Sequence, residues 1–190
     1  WLMRIISGLF KGKKILEPKD LKTRPLKDLT KESIFNIINH TNKFEIYFNS
    51  ANILDIFSGV GSFGLECLSR GARKVTFIEN YKNVLSILRK NLNNLKIKDN
   101  YQIIEKNAYE INTFRKISEK FDIIFLDPPY SDINVELLLN NISKENIINA
   151  DGIVILHRHK KANDIIPLNF KIIEEKKYGL SKIIFLTHLN

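Results

Sequence analysis

The sequence predicts an α/β protein built on a mostly parallel, seven-stranded sheet, and three observations carry this prediction. Short apolar runs typical of buried strands alternate with stretches of helical periodicity along most of the 190 residues. A glycine-rich loop, DIFSGVGSFG, directly follows the first of these strands. The last two apolar runs meet at Tyr178 and Gly179, too close for a crossover helix, so we expect them to pair antiparallel.

The elements ahead of the glycine loop are predicted to be a hairpin and a helix. Residues 3–17 alternate loosely in polarity and are interrupted by Gly8 and Gly12, which favours a short hairpin. Thr30 is expected to cap a helix. The apolar face of this helix is predicted to contain Ile34, Phe35, Ile37 and Ile38.

The rest of the chain reads as strands and helices in alternation. The predicted strands are NILDIF, KVTFIE, YQIIE, FDIIFL, GIVIL, FKIIEEKKY and SKIIFLTHL. The predicted helices cover about 63–70, 84–95, 111–117 and 135–147. Strands connected in this way form a parallel sheet covered on both faces.

The charge balance favours a polyanionic partner. The chain holds 30 Lys and Arg against 21 Asp and Glu, a net charge of +9. Residues 1–50 alone hold ten basic against five acidic side chains. Neutralised phosphates release condensed counterions, so such a surface attracts nucleic acids, although many basic proteins bind none.

Cysteine usage and hydropathy indicate the compartment. The single cysteine, Cys67, excludes an internal disulfide and a cysteine-built metal site, and we interpret it as a packing residue. No apolar run reaches the length of a membrane span, and no signal peptide is apparent. We therefore expect a cytoplasmic protein without membrane attachment.

The glycine loop predicts a cofactor site. Gly59, Gly61 and Gly64 follow the G-x-G-x-x-G spacing, and Glu79 ends the second strand twenty residues after Gly59. A carboxylate there can accept hydrogen bonds from both hydroxyls of a ribose. NAD and S-adenosylmethionine both contain a ribose, so this pair of features does not discriminate between them.

Asp55, inside the first strand, favours S-adenosylmethionine modestly. A carboxylate four residues before the first glycine suits the cationic amino acid tail of that cofactor better than a pyrophosphate. The alternative is that Asp55 only orders the loop through backbone N–H groups. By fold-level analogy, the terminal antiparallel pair also separates methyltransferases from dehydrogenases.

The segment FLDPPY, at the end of the fourth strand, decides between these cofactors. Pro128 and Pro129 hold the chain extended, so that the Asp127 side chain and the Pro128 carbonyl form adjacent acceptors. Two acceptors on one exocyclic amine favour a tetrahedral nitrogen whose lone pair can attack a methyl donor. Tyr130 offers an aromatic face on which a flipped-out base can stack. A proline-rich turn with a buried aromatic ring is the alternative, but the position after an apolar strand favours methyl transfer from S-adenosylmethionine.

His157 and His159 alternate in sequence, which raises the question of a metal site. The two histidines have no third candidate ligand near them in the sequence, and methyl transfer from a sulfonium needs no metal. We interpret LHRHKK, residues 156–161, as a solvated basic loop and predict no metal.

The chain resembles, nearly end to end, the RsmD family of 16S ribosomal RNA guanine-N2 methyltransferases. The resemblance lies in MRIISGLFKGKKI, TRPLKDLTKESIFNII, LDIFSGVGSFGLECLSRGA, FIEN, LDPPY and KYG. LDPPY alone also suits DNA adenine or cytosine methyltransferases, whereas the two amino-terminal motifs are more specific. The resemblance implies a Rossmann-like class I fold that binds S-adenosylmethionine.

The resemblance also implies residue roles. Cofactor contacts would come from Asp55, Phe57, Gly59, Gly61, Phe63, Glu79, Asn80, Asn107 and Ala108. Asp127, Pro128, Pro129 and Tyr130 would position the guanine amine. Arg4, Arg24 and Lys31 would approach RNA, or, in the case of Arg24 and the helix over 31–36, close over the cofactor. The sequence departs from the family at Leu29 to Glu32, where relatives have Arg-Val-Arg-Glu, which weakens the expected RNA contact there.

Domain organisation and partners follow from the same resemblance. An RNA-facing extension over 1–50 would precede the methyltransferase domain over 51–190. The substrate would be 16S ribosomal RNA within a partly or fully assembled small subunit, and we expect a monomer. A DNA or protein-glutamine methyltransferase and a non-catalytic assembly factor are the rivals. The absence of a target-recognition domain in 190 residues argues against the DNA enzyme, and the intact Asp127 and Tyr130 argue against the assembly factor.

Overall fold

The structure, a computed structural model, describes residues 3–20 and 24–189. This part of the chain forms a seven-stranded sheet with four α-helices. The strands are β1 (Asn52–Ile56), β2 (Lys74–Ile78), β3 (Tyr101–Ile104), β4 (Phe121–Leu126), β5 (Ile148–His159), β6 (Phe170–Tyr178) and β7 (Ser181–His188). The helices are α1 (Asp28–His40), α2 (Ser62–Ser69), α3 (Lys82–Asn94) and α4 (Val135–Lys144), and a single 3₁₀ turn spans Phe48–Ser50.

The sheet order is β3-β2-β1-β4-β5-β7-β6. The five strands from β3 to β5 are parallel, and β7 and β6 add antiparallel to β5. The chain builds outward from β1 to β3 and then returns to the other side of β1 with β4. In open sheets of this kind, ligands bind where the strand order reverses, at the carboxyl ends of the strands.

Alternating strand residues build two cores, one on each face of the sheet. Ile53, Phe77 and Phe125 pack with α1, α2, α3 and the N-terminal segment, whereas Leu54 and Leu126 pack with α4. Because both faces are covered, the parallel strands are apolar almost throughout. The predicted fold class is confirmed.

The N-terminal segment is docked on α2. Met3 and Ile15 pair across a hairpin with a bridge between Arg4 and Lys14, as predicted. The buried Glu66 carboxylate accepts the backbone N–H groups of Ile6 and Ser7 at 2.8 and 3.0 Å. The hydrogen bonds from these two N–H groups to the buried carboxylate fix the hairpin against α2.

Three local predictions are corrected. No helix forms over 111–117, where the chain makes successive turns: Glu110 N–H donates to the Asn107 carbonyl at 3.2 Å, Thr113 N–H to the Glu110 carbonyl at 3.0 Å and Ile117 N–H to the Phe114 carbonyl at 3.1 Å. Thr30 does not cap α1, which already begins at Asp28. Strand β5 extends beyond the predicted 152–156 at both ends.

Candidate active site

A cavity of about 630 Å³ opens at the carboxyl ends of β1, β2 and β4. Both predicted motifs line it, the glycine loop through Gly59 and the FLDPPY segment through Asp127 and Tyr130. The N-terminal segment supplies the opposite wall with Met3, Pro18, Arg24, Pro25 and Leu26. Sequence patterns did not predict the apolar residues of this wall, because their position depends on how the N-terminal segment docks; the family resemblance allowed only for Arg24 to close over the cofactor.

The loop after β1 bends sharply under the cavity. Phe57 has a φ of 59°, a left-handed conformation that is costly for a large side chain, and its ring packs on Tyr109 with centroids 5.6 Å apart. Gly61 has a φ of 92°, and a Cβ there would lie 2.5 Å from Leu88 Cδ1. Gly61 therefore allows close packing on α3 and does not itself line the cavity.

Glu79 is held in place by three backbone N–H groups. Oε1 accepts Gly59 N–H at 2.9 Å, and Oε2 accepts Asn80 and Tyr81 N–H at 2.9 and 3.1 Å. The carboxylate thus connects the end of β2 to the glycine loop inside the cavity wall. A fixed carboxylate with remaining lone pairs suits recognition of vicinal hydroxyls.

Asp55 is buried at the base of the cavity, where Oδ2 accepts Gly64 N–H at 3.0 Å. Burial raises the pKa of this carboxyl well above its usual range; the Gly64 N–H partly offsets that rise, and the charges of Asp127 and Glu79 add to it. A cationic ligand group beside Asp55 would offset both the burial of the carboxyl and its repulsion by Asp127 and Glu79. The loop-ordering contact and the predicted ligand contact are therefore compatible.

Ser58 is a further cavity residue that motif reasoning missed. Its buried Oγ has no hydrogen-bond partner among the described residues. A buried hydroxyl usually has a partner, so a polar ligand atom would complete this site. The carboxylates and this hydroxyl fit a cationic, hydroxyl-bearing cofactor.

Asp127 sits in a network of side chains. Its Oδ1 accepts Arg24 Nη2–H at 2.6 Å and lies 2.8 Å from His157 Nδ1. Burial favours a raised pKa for Asp127, but His157 and Arg24 outweigh it and hold the pKa below its usual value. Asp127 is therefore an ionised acceptor at neutral pH.

Arg24 also covers the predicted stacking residue. Its guanidinium carbon lies 3.8 Å from the centroid of the Tyr130 ring. Arg24, predicted to approach RNA or to close over the cofactor, thus contacts both residues predicted to hold the base. A base that stacks on this face of Tyr130 must displace Arg24.

Arg158 holds the FLDPPY loop and was missed by the sequence analysis. Its guanidinium donates to the carbonyls of Pro129 and Asp132 at 2.9 and 2.6 Å, and it pairs with Asp164 at 2.8 Å. Both charged side chains are at least 90% buried. The predicted solvated loop over 156–161 is wrong in its first half, because His157 and Arg158 continue β5 and face inward.

Other predicted site residues lie in or near the cavity. Phe63, Asn80, Asn107 and Pro129 line it, whereas Ala108 and Pro128 are buried and do not. Ala108 packs in the core that contains α4. Its predicted contact with an adenine ring and that of Asn107 stay predictions.

Lys31 is a correction. Its side chain is 0% exposed, and its ammonium lies 3.3 Å from Glu66 Oε1 and 2.8 Å from the Arg4 carbonyl. Burial lowers the pKa of Lys31, and the Glu66 charge opposes this. Lys31 therefore fastens α1 to α2 and cannot contact RNA in this structure, whereas the Arg4 side chain is exposed.

The described residues contain neither a candidate metal site nor a membrane-spanning helix. Within 3–20 and 24–189, no group of three or more His, Cys, Asp or Glu is placed to hold a metal ion. None of the helices in these ranges is long and apolar enough to cross a membrane.

This fold, with a glycine loop and an Asp-Pro-Pro-Tyr segment facing one cavity, defines the class of Rossmann-like methyltransferases. Comparisons agree. The chain is 32% identical over 179 residues to ribosomal RNA small subunit methyltransferase D of Haemophilus influenzae, covering 94% of this chain and 90% of that protein. A putative methyltransferase from Escherichia coli superposes with a TM-score of 0.82 at 26% identity, covering 100% and 99% of the two chains.

The family follows from the same comparisons. A putative methylase from Haemophilus influenzae has a TM-score of 0.77 at 30% identity over the full length of both chains. The family model described as conserved hypothetical protein 95 matches residues 3–187. The chain belongs to this family, the RsmD family, as its sequence motifs predicted.

Proposed function

We propose that this protein transfers a methyl group from S-adenosylmethionine to the N2 amine of a guanine in 16S ribosomal RNA. The observation that carries the proposal is the Asp127 carboxylate, which contacts Arg24 and His157, beside Tyr130 in the cavity that Asp55, Ser58 and Glu79 also line. The relative from Haemophilus influenzae is named as a small subunit ribosomal RNA methyltransferase, which supports the RNA substrate.

The cofactor is S-adenosylmethionine, whose sulfonium supplies an electrophilic methyl group. Glu79, whose carboxylate accepts three backbone N–H groups, would also accept the ribose hydroxyls. Asp55 would balance the cationic amino acid tail, and Ser58 Oγ would bond a polar atom of the cofactor. We propose the remaining contacts for Phe57, Gly59, Phe63, Asn80 and Asn107.

Asp127 orients the amine in the chemical step. Oδ1 is engaged by Arg24 and His157, while Oδ2 has no protein donor among the described residues, so Oδ2 accepts an amine N–H. The nitrogen lone pair attacks the methyl carbon as the carbon–sulfur bond breaks. A neutral guanine amine is too weak an acid for prior deprotonation, so the proton leaves the cationic product nitrogen, to Asp127 or water.

Replacement of Glu79 tests the cofactor assignment. We expect Glu79→Ala to weaken S-adenosylmethionine binding by about 1.5–3 kcal/mol, because a charge-assisted contact to the ribose is lost. Calorimetry with Glu105→Ala as a control compares this loss with removal of an exposed carboxylate at the end of β3. Tight NAD binding to the unmodified protein, with none for S-adenosylmethionine, would refute the assignment.

The RNA surface is proposed at the catalytic edge. Lys161 and Lys177 are exposed there, after β5 and near the end of β6. We expect Lys161→Ala and Lys177→Ala each to reduce the salt slope of RNA affinity by about one charge. Lys120→Ala, exposed at the opposite edge before β4, is the matched control. If the salt slope of RNA affinity is equal in all three variants, the RNA surface lies elsewhere on the protein.

Transfer of a labelled methyl group tests the class of substrate. We expect label from S-adenosylmethionine to enter small-subunit RNA when purified particles are incubated with the protein. Label that enters only added DNA or protein would favour the rival methyltransferases, and no transfer to any substrate would favour the assembly factor.

A further inference from the structure

A buried histidine connects the two residues that would hold the substrate base. The His157 side chain is 1% exposed and lies at the end of β5. Its Nδ1 is 2.8 Å from Asp127 Oδ1, and its Nε2 is 2.9 Å from Ser181 Oγ. Ser181 Oγ in turn lies 3.1 Å from the Tyr130 hydroxyl.

The chemistry of the neighbours assigns the ring protons. An ionised carboxylate only accepts hydrogen bonds, so the contact with Asp127 requires a proton on Nδ1. Arg24 Nη1 lies 3.3 Å from the same nitrogen, farther than the carboxylate oxygen. His157 Nδ1–H therefore donates to Asp127, and Nε2 accepts the Ser181 hydroxyl when the imidazole is neutral.

We propose that His157 is a positioning residue for methyl transfer: it fixes the rotation of the Asp127 carboxylate so that Oδ2, and not Oδ1, faces the substrate amine. The proposal rests on the proposed function. Arg24 alone is an incomplete restraint, because its side chain is 31% exposed and it lies on a face of Tyr130 that the base would need. When a base displaces Arg24, His157 keeps its hydrogen bond to Asp127 because β5 and Ser181 anchor the ring.

The hydrogen bonds from His157 through Ser181 to Tyr130 extend this positioning role to the stacking residue. Through Ser181, the same imidazole fixes the Tyr130 hydroxyl, and the two rings lie 6.1 Å apart. One buried side chain thus orients both the acceptor and the stacking surface. Near-attack geometry is sensitive to such orientation, since a misplacement of about 1 Å costs roughly 10²-fold in rate.

Two substitutions separate positioning from packing. The side-chain amide of asparagine can occupy the place of Nδ1 and keep a donor toward Asp127, whereas that of glutamine reaches the place of Nε2 and loses it. We expect His157→Gln to lower kcat about 10-fold or more in single-turnover transfer to small-subunit particles. His157→Asn keeps the donor toward Asp127 and loses only the contact with Ser181, so we expect a smaller loss, within about 3-fold of the unmodified protein. Affinity for S-adenosylmethionine should be unchanged in both.

A double-mutant cycle completes the test. Because His157→Gln loses the contact with Asp127 and keeps a group in the place of Nε2, it should cost little further in an Asp127→Asn background. Additive losses in this cycle, equal losses in the Gln and Asn variants, or full activity in His157→Gln would each overturn the proposal. An unmodified protein that methylates no small-subunit particle would instead refute the proposed function, so the two failures are distinguishable.

Discussion

Asp127→Ala is expected to lower the rate of methyl transfer roughly 100-fold or more. The substitution removes the acceptor that holds the substrate amine, and preorganised groups of this kind are typically worth about 10²–10³ in kcat. Single-turnover transfer to small-subunit particles measures the loss. Because Asp127 serves the base, affinity for S-adenosylmethionine should stay nearly unchanged.

Two controls separate chemistry from structure in this experiment. Asp127→Asn keeps one acceptor oxygen for Arg24 and His157, but its amide NH₂ then takes the place of Oδ2 and faces the substrate amine, so we expect the rate to fall nearly as far as in Asp127→Ala. Alanine also leaves Arg24 and His157 without their shared partner, so thermal unfolding must show that the variant stays folded. Tyr130→Phe keeps the stacking face and should be milder than Tyr130→Ala. Full activity in Asp127→Ala would contradict the mechanism.

The pKa of Asp127 adds a pH expectation. His157 and Arg24 outweigh burial and hold this pKa below the usual value of about 3.9. Protonation of Asp127 should therefore cause no loss of activity at or above about pH 5. The stabilisation from these contacts is present above the unfolded pKa of Asp127 and is lost as the pH falls through the folded pKa.

Glu66→Ala is expected to reduce the free energy of unfolding by about 3–5 kcal/mol. The fully buried Glu66 carboxylate pairs with Lys31 and Arg70 and accepts Ile6 and Ser7 N–H, so its removal leaves a buried ammonium and two donors unpaired. Denaturant unfolding measures the effect.

The matched control for this prediction is Glu32→Ala. Glu32 is exposed on α1, one residue from Lys31, and its replacement should change stability by less than about 0.5 kcal/mol. Since the N-terminal hairpin also forms a cavity wall, partial loss of the Glu66 contacts should weaken cofactor binding as well. A Glu66→Ala variant as stable as Glu32→Ala would contradict the role of Glu66 as the anchor of the hairpin.

The fold was predictable because its determinants are local. Apolar runs located the strands, and the glycine spacing and Asp-Pro-Pro-Tyr placed two cavity motifs at strand ends. The helix over 111–117 was predicted wrongly because the apolar residues there suit a helix, whereas the backbone N–H groups of Thr113 and Ile117 bond three residues back in separate turns.

The remaining site residues depend on tertiary pairing. Lys31, His157 and Arg158 are polar in sequence and would ordinarily be exposed, yet each is buried against a partner far along the chain. The signal available for His157 and Arg158 was their position directly after the apolar run of β5, at the edge where the cavity was expected. No feature of the sequence near Lys31 indicated that it would be buried against Glu66.

Analysis of the modified nucleoside tests the central claim most directly. Small-subunit particles that lack the modification would be incubated with the protein and S-adenosylmethionine, and their RNA digested for mass spectrometry. The proposed function predicts N2-methylguanosine in the small-subunit RNA, formed by the unmodified protein and greatly reduced with Asp127→Ala. Methylation of any other nucleoside, or N2-methylguanosine formed equally by Asp127→Ala, would contradict it.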